Sequence, residues 1–223
     1  MNFKEYPDRE MLAIDLANEL AGDLENALFN HDRVTFSVPG GTTPGPVFDA
    51  LCAADLDWSR VDVVPGDERW VPGDHPRSNA AQIRARLLTG RAAAARLLPL
   101  YAGGREPEAA ADGLGAALEP HLPIDVLLVG MGEDMHTASL FPGVPGLDAA
   151  LAEDAPPLVV LRPESQPEAR VSLSARVLDG ALAKHLVIFG AAKREALERA
   201  RELPGTEAPI GTILQDMTVH WAE

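Results

Sequence analysis

The sequence predicts an α/β fold: an open, mostly parallel sheet flanked by helices on both faces, with a small antiparallel or edge-strand addition near the C-terminus. Three observations predict it. Short β-rich runs alternate along the chain with helical stretches of ten or more residues. Strands joined by crossovers of that length pair in parallel. Residues 124–129 form a nearly continuous apolar run, as a strand buried on both faces requires. The main strand candidates each end in a glycine-bearing loop.

The elements follow in order. Leu12, Leu16, Leu20, Leu24 and Leu28 recur every fourth residue, with Ala13, Ala17 and Ala21 beside them. That is a helical apolar stripe. Residues 34–38 are a short β-rich strand ended by Pro39-Gly40-Gly41, and Thr43-Pro44 reads as N-cap and N1 of the next helix. Residues 61–64 form a second strand stopped by Pro65-Gly66. Residues 78–88 form a helix with Ser78 as its cap. Residues 97–100 are a weak strand, and 106–118 an alanine-rich helix interrupted by Gly113 and Gly115. After 124–129, shorter strands are expected at 158–161 and 171–173. A buried strand follows at 185–189, a helix at 191–201, and a closing edge strand at 217–221. No repeat and no domain-separating linker interrupts the chain, so residues 1–223 read as one domain.

Composition narrows the function classes. Of 223 residues, 34 are acidic and 19 basic, a formal charge of −15, which argues against nucleic acid or an anionic membrane as partner. The apolar fraction of 46% is that of a globular chain and not a disordered one. The single cysteine, Cys52, excludes an intrachain disulfide and a cysteine-based zinc cluster. The N-terminal residues carry early acids and no apolar stretch of signal-peptide type. No run reaches the ~20 residues of a membrane span. A cytoplasmic setting is expected. The six histidines show no His-Glu-x-x-His spacing, so no metal site is expected.

In open parallel sheets ligands bind beyond the carboxyl ends of the strands. Four loops occupy that edge. Gly40-Gly41-Thr42-Thr43-Pro44 lies between a strand and a helix and reads as a phosphate cradle or a plain tight turn. Asp67-Glu68-Arg69-Trp70-Val71-Pro72 reads as a solvated turn, as a structural salt bridge, or as an arginine held for bidentate phosphate contact. In the loop opened by Gly130-Met131-Gly132, Asp134 and His136 are two residues apart. That spacing suits a carboxylate that fixes an imidazole's tautomer beside a general base, or a capping aspartate with an ordinary loop histidine. Ser139 lies in no Gly-x-Ser-x-Gly elbow and is no candidate nucleophile. Lys193, in the first turn of its helix, opposes the helix dipole. A bound anion accounts for it, as does plain solvent exposure. Arg170 is placed to pair with the same anion or with Glu168.

Taken in order, five blocks resemble the bacterial type of the 6-phosphogluconolactonase family. They are Val38-Pro39-Gly40-Gly41-Thr42-Thr43-Pro44; Asp67-Glu68-Arg69-Trp70-Val71-Pro72 with Asp74-His75 and Ser78-Asn79; residues 130–143, with the distinctive tail Thr137-Ala138-Ser139-Leu140-Phe141-Pro142; Arg170-Val171-Ser172-Leu173; and Gly190-Ala191-Ala192-Lys193. The resemblance implies a Rossmann-like fold shared with glucosamine-6-phosphate deaminase. It implies hydrolysis of 6-phospho-glucono-1,5-lactone to 6-phosphogluconate without metal or organic cofactor. By that resemblance His136 is the general base and Asp134 its orienting partner. Gly40, Gly41, Thr42, Asp67, Arg69, Asn79, Arg170 and Lys193 are the substrate- and phosphate-binding candidates. The expected partner is a small sugar-phosphate lactone; monomer or weak dimer is left open.

One residue departs from the family's pattern. Met135 stands where a glycine is usual. It implies either a negative φ at that position or a side chain crowding the pocket. Two rival functions remain: a glucosamine-6-phosphate deaminase-type activity, and a non-catalytic sugar-phosphate-binding module. The deaminase pattern has a further acid soon after the histidine, whereas here none follows until Asp148.

Overall fold

A computed structural model describes residues 1–223. The chain runs β1 (Asn2–Glu5), α1 (Arg9–Asn30), β2 (Val34–Val38), α2 (Gly45–Leu51), β3 (Val61–Pro65), β4 (Asp67–Arg69), α3 (Asn79–Arg86), β5 (Arg96–Leu97) and α4 (Pro107–Leu118). It continues through β6 (Val126–Gly130), α5 (Leu147–Leu151), β7 (Leu158–Leu161), β8 (Arg170–Leu173), α6 (Ala175–Asp179), β9 (Ala183–Phe189), α7 (Ala191–Ala200) and β10 (Met217–Ala222). Seven strands form a parallel sheet in the order β1-β10-β9-β6-β2-β3-β5. Three more, in the order β4-β8-β7, form a small antiparallel sheet.

The alternation along β6 shows why helices cover both faces. Val126 and Leu128 join the apolar layer with the leucines of α1, Val47 and Phe48 of α2 and Ile83 of α3. Leu127 and Val129 join the opposite layer with Leu118 of α4, Leu197 of α7 and Leu173 of β8. The five leucines predicted as a stripe are all buried. Each such burial contributes roughly 1.5–3 kcal/mol, so packing more than intrinsic propensity holds α1. Asp8 caps that helix, accepting from Met11 N at 2.8 Å.

The sheet also explains where a ligand can sit. From β2 the chain builds outward to β3 and β5, then crosses back to β6, β9 and β10. The crevice lies where the direction of building reverses, between β2 and β6.

Several local expectations change. Met217–Ala222 is not an edge strand: β1 pairs outside it, Asn2 opposite Thr218. Nothing local marked β1, because four mostly polar residues become a strand only by finding a partner. Residues 67–69, read as loop, are strand β4. Their polar side chains hid it, since the two acids are buried and satisfied by specific partners. Thr43 does not cap α2; Pro44 occupies the cap position and no side chain bonds there. The weak strand at 97–100 contracts to Arg96–Leu97. Helices α5 and α6 are five residues each, too short to leave a periodicity. No helix is long and apolar enough to cross a membrane.

Candidate active site

The loops after β2, β3, β6 and β9 meet over the carboxyl edge of the sheet and enclose a cavity of about 330 Å³. Gly40, Gly41, Asp67, Arg69, Asn79, His136, Arg170 and Lys193 all line it. Asp134 stands behind His136. Thr42 does not reach the cavity wall, whereas Thr43 does.

The loop after β6 places the imidazole. Met135 N donates to Gly132 O, and Gly132 N to His136 O, each at 3.0 Å, closing a tight turn. A Cβ on Gly132 would lie 2.3 Å from the His136 ring and 2.4 Å from Asp134 Oδ1, so only glycine leaves room for that pair. Asp134 Oδ1 lies 2.5 Å from His136 Nδ1 and also accepts from His136 N at 3.2 Å. This hydrogen bond is the main reason the Asp134 carboxyl sits below the usual carboxylate range, overcoming a partial burial that pushes the other way. An ionised Asp134 keeps the proton on Nδ1 and leaves the Nε2 lone pair of His136 available. Phe141 stacks on the imidazole, ring centres 4.3 Å apart, and fixes its plane.

A buried polar hub supports the opposite wall. Glu68, 1% exposed, accepts from the backbone N–H groups of Arg69, Asn79 and Ala80 and from Ser78 Oγ, at 2.7 to 3.0 Å. It caps the first turn of α3, where the helix dipole favours an anion. Asp67 accepts from Asn79 Nδ2 at 2.9 Å and from Ser139 Oγ at 2.5 Å, tying β4 to the His136 loop. Ser139 is therefore a bracing hydroxyl. The Asn79 side chain passes so close to Gly40 that a Cβ there would lie 1.9 Å from Asn79 Oδ1. The glycine loop is thus packed against the hub. The Gly41 N–H donates to Gln82 Oε1 at 2.9 Å and is already engaged.

Neither Asp67 nor Glu68 pairs with Arg69, whose Nη1 donates to Arg77 O at 2.6 Å. Glu168 pairs with Arg77 at 2.9 Å and leaves Arg170 to others. Arg170 is 3% exposed, donates to Gln166 Oε1 at 2.5 Å, and stands 3.8 Å from Asp67. Burial is the main cause lowering its pKa. Burial likewise lowers the Lys193 ammonium below its ordinary value, with Glu133 acting in the opposite direction. Six buried side-chain polar atoms have no hydrogen-bond partner, although one of them, Glu168 Oε2, is ion-paired with Arg77. Three of them, Arg69 Nε, Asn79 Oδ1 and Arg170 Nε, belong to residues of this cavity wall. Three cations on this wall, two of them with a guanidinium Nε–H left unpartnered, suit an anion carrying several acceptor oxygens, whereas Asn79 Oδ1 is an acceptor.

Sequence reading missed Gln166, Phe141 and Ala138 on the cavity wall. Gln166 lies in a proline-containing loop, and only its bond to Arg170, four residues on, brings it in. Met135 fits neither alternative set for it. Its φ is +67°, and its side chain packs against the apolar core instead of the cavity wall. Met135→Gly relieves a left-handed strain of order 1 kcal/mol while forfeiting a comparable amount of packing. Steady-state kinetics of that variant are expected to stay within about twofold of wild type, because the side chain stands off the cavity wall. A KM shift of several-fold would place the side chain at the substrate after all.

A family model described as glucosamine-6-phosphate isomerases/6-phosphogluconolactonase matches residues 7–221. The chain is 40% identical over 210 residues to the 6-phosphogluconolactonase of Pseudomonas aeruginosa, covering 92% of this chain and 88% of that protein. It is 40% identical over 231 residues to the 6-phosphogluconolactonase of Mesorhizobium japonicum, covering 99% and 95%. The crystal structure of a 6-phosphogluconolactonase from Shewanella baltica superposes with a TM-score of 0.95 at 31% identity, over 100% of this chain and 98% of that one.

Proposed function

Because the chain belongs to the glucosamine-6-phosphate isomerase/6-phosphogluconolactonase family, we infer that it hydrolyses 6-phospho-D-glucono-1,5-lactone to 6-phospho-D-gluconate. The observation that carries the assignment of roles is the Asp134–His136 pair facing a cavity lined by Arg69, Arg170 and Lys193.

That arrangement supports the following roles. His136 Nε2 takes a proton from water as the water oxygen attacks the lactone carbonyl carbon. Asp134 holds Nδ1–H and stabilises the imidazolium that forms. Backbone N–H groups of the surrounding loops receive the developing oxyanion. The carbonyl–ring oxygen bond then breaks, and the imidazolium returns its proton to the departing ring oxygen. The acid formed ionises to the carboxylate. Lys193, Arg69 and Arg170 receive the 6-phosphate. A dianion there repays the desolvation of Lys193 and offsets the buried charge of Arg170. The cytoplasm is the proposed setting, on the ground of the free thiol of Cys52.

The test is hydrolysis of freshly generated lactone, coupled to 6-phosphogluconate dehydrogenase and corrected for spontaneous opening. Acceleration by wild type is expected, with no turnover of glucosamine 6-phosphate. Sugar-phosphate binding without acceleration would leave a binding module instead. In the same assay Lys193→Ala is expected to raise KM about tenfold or more with a smaller change in kcat, as loss of a charged hydrogen bond made in both ground and transition states requires.

A further inference from the structure

A second polar cluster lies on the α1 face of the sheet and takes no part in the hydrolysis. His220 of β10, with no exposed surface, and His185 of β9, 5% exposed, sit on neighbouring strands beneath α1. His185 Nδ1 and His220 Nε2 face each other at 3.0 Å. Glu19 Oε2 is 4.0 Å from His220 Nε2. The three ligand atoms of Glu19, His185 and His220 all lie within 4.8 Å of one another.

We propose that Glu19, His185 and His220 form a structural site for a divalent first-row transition-metal ion of the zinc type, joining α1 to β9 and β10. A tetrahedral zinc ion with bonds of ~2.0–2.1 Å holds its ligand atoms roughly 3.3 Å apart. The 3.0 Å and 4.0 Å separations straddle that value. The outer shell is that of a metal-bound histidine pair. Asp23 Oδ2 lies 2.8 Å from His185 Nε2, so this nitrogen donates and Nδ1 keeps its lone pair. Tyr6 Oη lies 2.8 Å from His220 Nδ1. Lys4 occupies Glu19 Oε1 at 2.7 Å and leaves Oε2 for the ion. The side chains of Glu19 and Asp23 are about one-third exposed and give the ion a path from solvent.

The protons balance. Without metal, Tyr6 O–H donates to His220 Nδ1, and His220 Nε2–H donates to His185 Nδ1. With metal, the His220 proton moves to Nδ1 and donates to Tyr6. The phenol proton turns toward Glu19 Oε1, 3.5 Å away. Both imidazoles stay neutral and no proton leaves the cluster. Charge is also matched: the carboxylates of Glu19 and Asp23 and the ammonium of Lys4 leave a net negative surrounding for a dication.

The experiment is zinc titration against a chromophoric chelator, using the His136→Ala protein so that the active-site imidazole cannot contribute. One equivalent per chain is expected, and cobalt(II) in its place should give a tetrahedral visible spectrum. Glu19→Gln changes a partly exposed group and should fold, as circular dichroism will verify. It should weaken zinc at least tenfold, and Asp23→Asn about 10–100-fold. Zinc should raise the thermal midpoint of the His136→Ala protein, and the Glu19→Gln substitution should remove that rise. No zinc retained at micromolar free ion, or retention unchanged in both variants, overturns the site and leaves a hydrogen-bonded histidine pair.

Discussion

Replacing His136 with alanine is expected to lower kcat by about 10²–10⁴-fold, the range a positioned general base supplies, with little change in KM. The cavity cations are untouched by the change, so ground-state binding persists while the proton transfer is lost. Asp134→Ala should give a smaller loss. The imidazole remains with its plane held by the stack on Phe141, but nothing then fixes its tautomer. Gly132→Ala offers an independent route to the same outcome, since its Cβ would overlap the His136 ring and displace the pair without removing either group. Activity of His136→Ala within a few-fold of wild type would reassign the base.

Glu68→Ala is expected to be the most destabilising substitution in the site, by about 4 kcal/mol or more. Its carboxylate satisfies three backbone N–H groups and one hydroxyl. Each donor left buried without an acceptor costs about 1–3 kcal/mol. A loss of that size consumes much of the ~5–15 kcal/mol that holds a domain together. Glu68→Gln retains one acceptor oxygen but turns an amide toward donors, so it should lie between. Urea unfolding at neutral pH reads both, and a loss under 1 kcal/mol for Glu68→Ala would show that water replaces the carboxylate. Because Asn79 N is one of the groups released, the folded fraction should also bind substrate more weakly.

Glu68 shows where sequence reading reaches its limit. The acid-acid-base run at 67–69 was open to being a solvated turn, a salt bridge or a phosphate contact. The structure makes it a buried strand whose two acids have different duties, one capping α3 and the other bracing Ser139. Nothing in the triplet distinguishes those duties, because both partners are supplied by distant segments. Met135 is similar: a local rule for positive φ offered two outcomes, and packing against the core produced a third. The His185–His220 cluster was invisible for the same reason, since residues 35 apart in sequence meet only through strand pairing.

What the sequence by itself determined is the part governed by short-range physics. Period-four leucines make α1, continuous apolar runs make the central strands, and glycines at strand ends make the four loops that form the cavity. The two-residue spacing of Asp134 and His136 lies within one turn, so their pairing too was legible. The tertiary structure alone decided which strand lies at the edge, which arginines are paired, and which polar atoms are left without partners. Those outcomes depend on contacts such as Ser139 with Asp67, 72 residues apart. The strength of a buried hydrogen bond, and the cost of lacking one, are set by neighbours that the chain brings together only on folding.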